Sequence, residues 1–325
     1  MKIITLGEFL IDMIKTGEEP EILAEKFLAL PGGAPANVAV GLARLGTPCG
    51  FIGCVGNDSF GHRLISHLEK YGVDVSGVKE INDIRTTQAY IFPRPDGKKD
   101  IFFYRNPGAD QMLGPLDIKE EYFAKIRFFH HGSISMIERN PFLATLKAIK
   151  LTKKNKGLIS FDPNYRPAIW PNPKLALNRI YQGFKYADII KTSNEDLPFI
   201  SGDTNIRRGA RKILKSSNAL IIVVTLAQSG CYYLTKNGQE GNVPGFKVNV
   251  VEVTGAGDAF SASMLFDLLP FTNREINNLS KFAWEKILVR ANAAGALACT
   301  KQGAIPAMPT KMEVDAFLAK NQPVA

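Results

Sequence analysis

The chain has 325 residues, with 40 Lys and Arg against 31 Asp and Glu, for a formal charge of +9. At roughly 150 residues per domain, that length holds about two domains or one large α/β unit with an appendage. Apolar residues at 45% and charged residues at 22% exclude a collagen, a coiled coil and wholesale disorder.

The four cysteines (Cys49, Cys54, Cys231, Cys299) form no CxxC pair and only four histidines exist, which speaks against a structural zinc site and fits a reducing compartment. Glu8 and Asp12 interrupt the N-terminal apolar run, so it does not read as a signal peptide. No window approaches eighteen consecutive apolar residues. The expectation is a cytoplasmic protein with no membrane partner.

In chain order, residues 3–7 read as a buried first strand ending at Glu8. Pro31-Gly32-Gly33 breaks the chain, and residues 37–45 carry the apolar spacing of a helix closed by Gly46. Residues 50–55 make a second short strand and residues 60–71 a helix stopped at Gly72. Residues 89–92 and 101–104 look like two strands joined through Pro93-Arg94-Pro95-Asp96-Gly97. A hairpin inside a βα series predicts a small sheet standing off the main one, with an edge that needs cover. From Phe128 the alternation resumes, with strands at 128–130, 158–161, 189–190, 219–225, 231–235 and 248–253. A helix over about 257–268 and a last long helix over about 280–300 complete the series. The alternation predicts an α/β fold of three layers around a mostly parallel sheet, with ligands at the carboxyl ends of its strands. No fixed-period repeat or long linker interrupts it.

The positive charge is scattered through Lys98-Lys99, Lys153-Lys154-Lys156 and Arg207-Arg208-Arg211-Lys212, without interleaved aromatics. That distribution argues against nucleic acid and suits a small anion such as a nucleotide polyphosphate. The known phosphate loops are absent: there is no GxxxxGK[ST] and no GxGxxG opening the first βα unit, and HExxH is missing too. The strongest local signal is Val251-Glu252-Val253-Thr254-Gly255-Ala256-Gly257-Asp258-Ala259-Phe260, a strand running through a small-residue turn into a helix. Such a turn lets backbone N–H groups converge on an anion at a helix N-terminus. Asp258 stands beside it, placed to take a proton from a hydroxyl attacking a phosphoryl group. The other reading is a glycine-rich turn with an acidic helix start, and position relative to the remaining motifs decides between them.

Across essentially its whole length the sequence resembles the ribokinase-like (PfkB) carbohydrate kinases. Gly7-Glu8-Phe9-Leu10-Ile11-Asp12 is similar to that family's first strand and sugar-binding aspartate, and Pro31-Gly32-Gly33-Ala34-Pro35-Ala36-Asn37 to its GGxxxN element. Residues 254–258 resemble its TGAGD anion hole and base. Residues 103–110 and 162–167 point to the fructokinase branch.

The resemblance implies one ribokinase-like kinase domain over 1–325 with a small β-sheet lid made by about 13–30 and 86–108. It implies ATP-dependent conversion of fructose to fructose 6-phosphate, with Asp258 as base and Gly255, Ala256 and Gly257 as the anion hole. Asp12, Gly32, Gly33, Asn37, Arg105, Asn164 and Arg166 would meet the sugar, although a loop ion pair would also explain Arg166. Ser193, Thr225, Gly230, Asn292 and Gly295 would border the nucleotide; tight helix packing equally explains 292–295. Ala227 stands where the family usually has glycine. In place of the family's NxxE, which organises Mg²⁺ through water, the chain has Ser193-Asn194-Glu195-Asp196, so Glu195 or Asp196 would take that part. A K⁺ site is implied at Glu252, Thr254, Ala298, Lys301, Gly303 and Ala307, mostly through backbone oxygens. The aromatic lid strands suit a homodimer through paired lids, or packing onto the protomer itself. Rival readings are a kinase for 2-keto-3-deoxygluconate or another ketose, and a non-catalytic sugar- or nucleotide-binding regulator.

Overall fold

A computed structural model describes residues 2–16, 25–94 and 99–323. The first part of the chain holds β1 (Lys2–Leu6), β2 (Leu10–Thr16), β3 (Lys26–Gly32), α1 (Ala34–Arg44), β4 (Cys49–Gly56), α2 (Ser59–Lys70) and β5 (Asp74–Ile81). Next come β6 (Gln88–Pro93), β7 (Lys99–Tyr104), β8 (Ile126–Gly132), α3 (Arg139–Lys154), β9 (Leu158–Asp162) and α4 (Pro173–Tyr186). The third stretch holds β10 (Ile189–Ser193), α5 (Leu197–Ser201), α6 (Ile206–Lys215), β11 (Ile221–Thr225), β12 (Cys231–Thr235) and β13 (Glu240–Val243). The chain finishes with α7 (Ala256–Leu268), α8 (Asn273–Asn277), α9 (Lys281–Ala298), α10 (Ala304–Ala307) and α11 (Lys311–Lys320).

Among the described residues, nine strands form one sheet in the order β13-β12-β11-β10-β9-β8-β1-β4-β5. From β11 to β5 neighbouring strands are parallel, and β12 turns antiparallel to β11. Period-2 alternation sends successive side chains to opposite layers. Ile3, Phe128, Ile189 and Ile221 join the core beneath α1, α7 and α9. Their neighbours Ile4, Phe129, Ile190 and Ile222 pack on the other face, against α3, α4 and α6. That is the three-layer α/β fold the alternation predicts.

Four further strands form a separate sheet, β3-β2-β6-β7, with β2 and β6 parallel and both outer pairs antiparallel. The small sheet expected to stand off the main one is therefore there; residues 17–24 and the connection at 95–98 fall outside the described residues. Where this sheet leaves the main body, buried polar groups hold the chain. Asp58 accepts the Thr86 N–H and hydroxyl, each at 2.8 Å, and Asp110 takes the Arg105 guanidinium at 2.7 Å and the Thr87 hydroxyl.

Two expectations are corrected. Residues 248–253 form no strand: the Val251 and Val253 side chains are exposed, and the N–H groups of Val251 and Glu252 both donate to the Cys299 carbonyl. Their place at the sheet edge goes to β13, which pairs with β12. The helix near 280–300 is not the last, because α10 and α11 follow it. No helix among the described residues is long and apolar enough to cross a membrane.

Candidate active site

The carboxyl ends of β1, β9, β10 and β11 open toward one region, and the groups singled out from sequence collect there. Thr225 ends β11, Ser193 ends β10 and Asp162 ends β9. Gly7 and Glu8 follow β1 and lead into the lid through β2.

The turn before α7 is built by two glycines for different reasons. Gly255 has φ +85, a left-handed conformation, and a Cβ there would lie 2.9 Å from the Ala304 Cβ. Gly257 lies within the helix, and the space its missing Cβ leaves is filled by the Lys191 Nζ, 2.7 Å from where that Cβ would stand. Of the three N–H groups expected to bind an anion, that of Ala256 already donates to the Val253 carbonyl at a long 3.3 Å.

Asp258 sits in the first turn of α7, half-buried. Burial pushes its carboxyl up to about 6, against the pull of the Asn37 amide and the Lys191 charge; Asp162 pushes up and Arg166 pulls down. Asn37 Nδ2 donates to Asp258 Oδ2 at 2.8 Å, so the GGxxxN element and the carboxylate meet directly. The Asn37 Oδ1 is buried with no partner. Nearby, the Asp12 carboxylate lies over Gly32, where a Cβ would come within 2.3 Å of Oδ2. Gly33, with φ +113, brings its Cα against the Glu8 carbonyl, 2.4 Å from a Cβ built there. Glu8 Oε1 accepts the Ala34 N–H at 3.0 Å; Oε2 is buried without a partner, and burial raises the carboxyl to about 7.

Lys191 is the group that sequence reading missed. It lies 7% exposed in β10 and bonds Asp162 Oδ2 at 2.7 Å. Burial opposes its charge, but Asp162, Asp258 and Asp196 together hold its pKa above the ordinary lysine value. The signal available in sequence was a lone lysine within Ile189-Ile190-Lys191-Thr192, a strand otherwise fit for the core.

Asp196 and Glu195 separate clearly. Glu195 is exposed, while Asp196 is half-buried and accepts the Tyr165 N–H at 3.3 Å; its own N–H donates to Ser193 Oγ at 3.0 Å. Burial first, and then the Asp162 charge, push Asp196 up to about 6, with Arg166 and Lys191 pulling down. A desolvated carboxylate beside a second one suits a hydrated divalent cation, so the residues present fit Mg²⁺ through Asp196. The half-buried Asn164 adopts φ +41 and donates its N–H to Asp162 Oδ1 at 3.1 Å. Arg166 is exposed, donates to the Tyr165 carbonyl at 3.2 Å, and its charge reaches both Asp196 and Asp258.

Other expected residues are occupied elsewhere. The Arg105 fork is spent on Asp110, with Nε 2.9 Å and Nη2 2.7 Å from Oδ2, at the rim of an open hollow of about 610 Å³ that Asn106 and Arg139 also line. Asn292 donates to the Val243 and Pro244 carbonyls, both at 3.1 Å, and so clamps the chain leaving β13. Gly295 brings α9 against α7, with the Ala256 carbonyl 3.1 Å from a built Cβ. Thr225 Oγ1 donates to the Thr192 carbonyl at 3.3 Å. Gly230 has φ +92, and the Val243 carbonyl stands 2.1 Å from where its Cβ would be.

The segments implied for K⁺ are tied together. Glu252 accepts the Thr254 hydroxyl at 2.6 Å and the Gly303 N–H at 2.9 Å. Ala298 and Ala307 are buried beside them, while Lys301 points out to Glu313 at 2.8 Å. A carboxylate that ties the two segments together through neutral donors keeps its negative charge there, which fits a monovalent cation held by backbone oxygens; the Lys301 side chain has no part in it.

The family model for pfkB carbohydrate kinases matches residues 1–311. The probable fructokinase-2 of Arabidopsis thaliana is 40% identical over 97% of this chain and 95% of that protein. The crystal structure of a Xylella fastidiosa fructokinase with bound ATP superposes with a TM-score of 0.89 at 31% identity, covering 98% of both chains. A Vibrio cholerae O395 fructokinase, solved with fructose, ADP and calcium ion, gives 0.86 at 32% identity over 98% of both chains. A double mutant of the Vibrio protein, solved with fructose, ADP and potassium ion, matches equally well.

Proposed function

The chain belongs to the pfkB family of carbohydrate kinases, phosphotransferases acting on a sugar hydroxyl, and we propose that its acceptor is fructose and its donor ATP, yielding fructose 6-phosphate. The observation that carries this reading is the Asp258 carboxylate, set behind a glycine turn at a helix N-terminus and bonded to Asn37 of the GGxxxN element. Relatives named fructokinases match over nearly the whole chain, which supports fructose as the acceptor.

Asp12, Gly32, Gly33, Asn37, Asn164 and Arg166 orient the sugar. Asp258, with its proton affinity raised by burial, accepts the hydroxyl proton as the O–P bond forms. The bond from the γ-phosphorus to its bridging oxygen breaks, and the electron pair leaves with ADP. The N–H groups of Gly255 and Gly257 stabilise the moving phosphoryl, preorganised donors worth about 3 kcal/mol each. Ala256 joins them by giving up its long bond to Val253. Thr225, Gly230 and Ser193 border the nucleotide; Asn292 and Gly295 shape that border from behind by holding backbone.

Asp196 would hold a hydrated Mg²⁺, which would supply positive charge against the polyphosphate. K⁺ would sit between the 252–254 turn and the 298–307 loop. The lid sheet covers the sugar and excludes water as a competing nucleophile.

A homodimer through the lids is supported by an exposed aromatic face: Tyr90 and Phe92 stack on Phe102, itself 53% exposed. Light scattering would then give twice the mass of one chain, and a monomer mass across working concentrations would refute it. The kinase reading is tested by a sugar panel with coupled ADP detection under Mg²⁺ and K⁺. Fructose should lead by kcat/KM; a clear lead for a keto-deoxy acid, or sugar binding with no ADP formed, would overturn it.

A further inference from the structure

We infer that Lys191 is a catalytic residue of the phosphoryl transfer, its ammonium bringing a full positive charge to the turn before α7. The inference rests on the kinase reading and adds to it a group that neither the glycine turn nor the sugar-side residues supply.

A lysine inside a parallel strand is costly and persists only when paired. Asp162 supplies that pair from the end of the neighbouring strand, with both side chains more than nine-tenths buried. A pair that served stability alone would be complete there, and such pairs add little net stability over apolar replacements. Lys191 goes further. Its Nζ lies against Gly257, in the space a Cβ would fill. Gly257 sits in helical backbone and has no positive φ, so the conformation does not demand glycine at this position. What occupies the space is the amine, held there by its bond to Asp162.

The surrounding charges point the same way. Asp162, Asp196 and Asp258 all interact with Lys191. Three interacting carboxylates would repel a polyphosphate, and among the described residues the cations whose charges reach Asp196 and Asp258 are Lys191 and Arg166. Among the described residues Nζ makes one hydrogen bond, to Asp162, which leaves two N–H bonds for phosphoryl oxygens. During transfer the sugar proton passes to Asp258, the sugar O–P bond forms and the bond to the ADP oxygen breaks. Lys191 keeps its proton throughout. Its charge meets the phosphoryl oxygens in a water-poor site, where a fixed cation favours the transition state over the bound ground state.

The test is Lys191→Met in the full chain, assayed with fructose and Mg-ATP, alongside Lys191→Met/Asp162→Asn, which removes both buried charges and guards against misfolding. Both variants should lose about 100- to 1000-fold in kcat, as expected for one preorganised electrostatic group, with the fructose KM little changed. The acid limb of kcat/KM should move to higher pH in Lys191→Met, since Asp258 loses a cation while Asn37, Asp162 and Arg166 still face it. A double variant that recovers turnover together with stability shows a structural lysine, and an acid limb that stays in place shows that the Lys191 charge does not reach Asp258; either result overturns the inference. Wild type that forms ADP while Lys191→Met matches its kcat sinks this inference alone; wild type that forms none with any sugar sinks the kinase reading, and this inference with it.

Discussion

Asn37 and Asp258 are 221 residues apart in sequence, and a hydrogen bond of 2.8 Å joins their side chains. The amide lies at the start of α1 and the carboxylate at the start of α7, so two helix N-termini converge on one atom. Both dipoles favour the ionised carboxylate, and the amide N–H adds to them.

Replacing Asn37 with leucine removes that donor, so the Asp258 pKa should rise further above about 6. The fraction ionised near neutral pH then falls. Activity should drop more at pH 6.5 than at pH 8.5, with the acid limb of kcat/KM displaced upward by about one unit, the size of one lost hydrogen bond to a charged group. A pH–rate profile from pH 5 to 9 checks it.

Asp258→Asn should keep sugar and ATP binding, measured by calorimetry, and lose about 10²- to 10⁴-fold in kcat, the usual contribution of a general base. Its stability should change in the opposite sense. The carboxyl is held near 6 in the folded chain against an ordinary 3.8, so the wild type loses stability as pH rises from 3.8 through 6. At pH 8 the variant should therefore be more stable, by about 2 kcal/mol at most given partial solvent screening. Melting curves at pH 4 and pH 8 separate the two effects.

Ala227 has φ +51, in the left-handed region that disfavours a Cβ. Ala227→Gly should stabilise the chain by about 0.5–1 kcal/mol, the relief of strain less the extra freedom gained by the unfolded chain. Urea unfolding would show it as a higher midpoint at constant slope.

His130 and His131 are buried in β8, and burial lowers them to about 4 and about 3. Both favour the neutral form when folded, so their contribution is complete above 6.5 and is lost as pH falls from 6.5 through those values. His131 packs between Phe129 and Phe161, with ring centroids 5.5 Å and 4.7 Å away. His131→Phe should therefore lose less stability than wild type between pH 7 and pH 4, by about 3 kcal/mol. The comparison is the change in Tm across that interval, because other groups titrate equally in both proteins.

The buried strands were readable because continuous apolar runs such as Ile221–Thr225 suit a parallel sheet and little else. The edge strand β5 was not, since its sequence, DVSGVKEI, is half-exposed and lacks such a run. Residues 248–253 misled in the other direction: four valines read as a strand, but no described strand pairs with them and solvent takes Val250, Val251 and Val253. The helix α11 had a legible start, Thr310 with Glu313 in a capping box, that went unread. In the site, the turn at 254–258 and the Asn37 element were legible as motifs. Lys191 was not, because its meaning lies in a neighbouring strand and in the void at Gly257, neither of which has any mark in its local sequence. Asn292 shows the reverse: a polar residue near the expected nucleotide site that spends its donors on backbone.

The position of β1 between β4 and β8 has a bearing on how the protein is made. The strand synthesised first lies in the interior of the finished sheet, so it waits for partners on both sides, and the longer wait is for β8. Asp12 and Asn37, proposed to face the sugar, leave the ribosome early, whereas Asp258, the proposed proton acceptor, is added after more than three quarters of the chain. A nascent or prematurely ended chain is thus a kinase without its base, able at most to hold a hexose and unable to spend nucleotide on it.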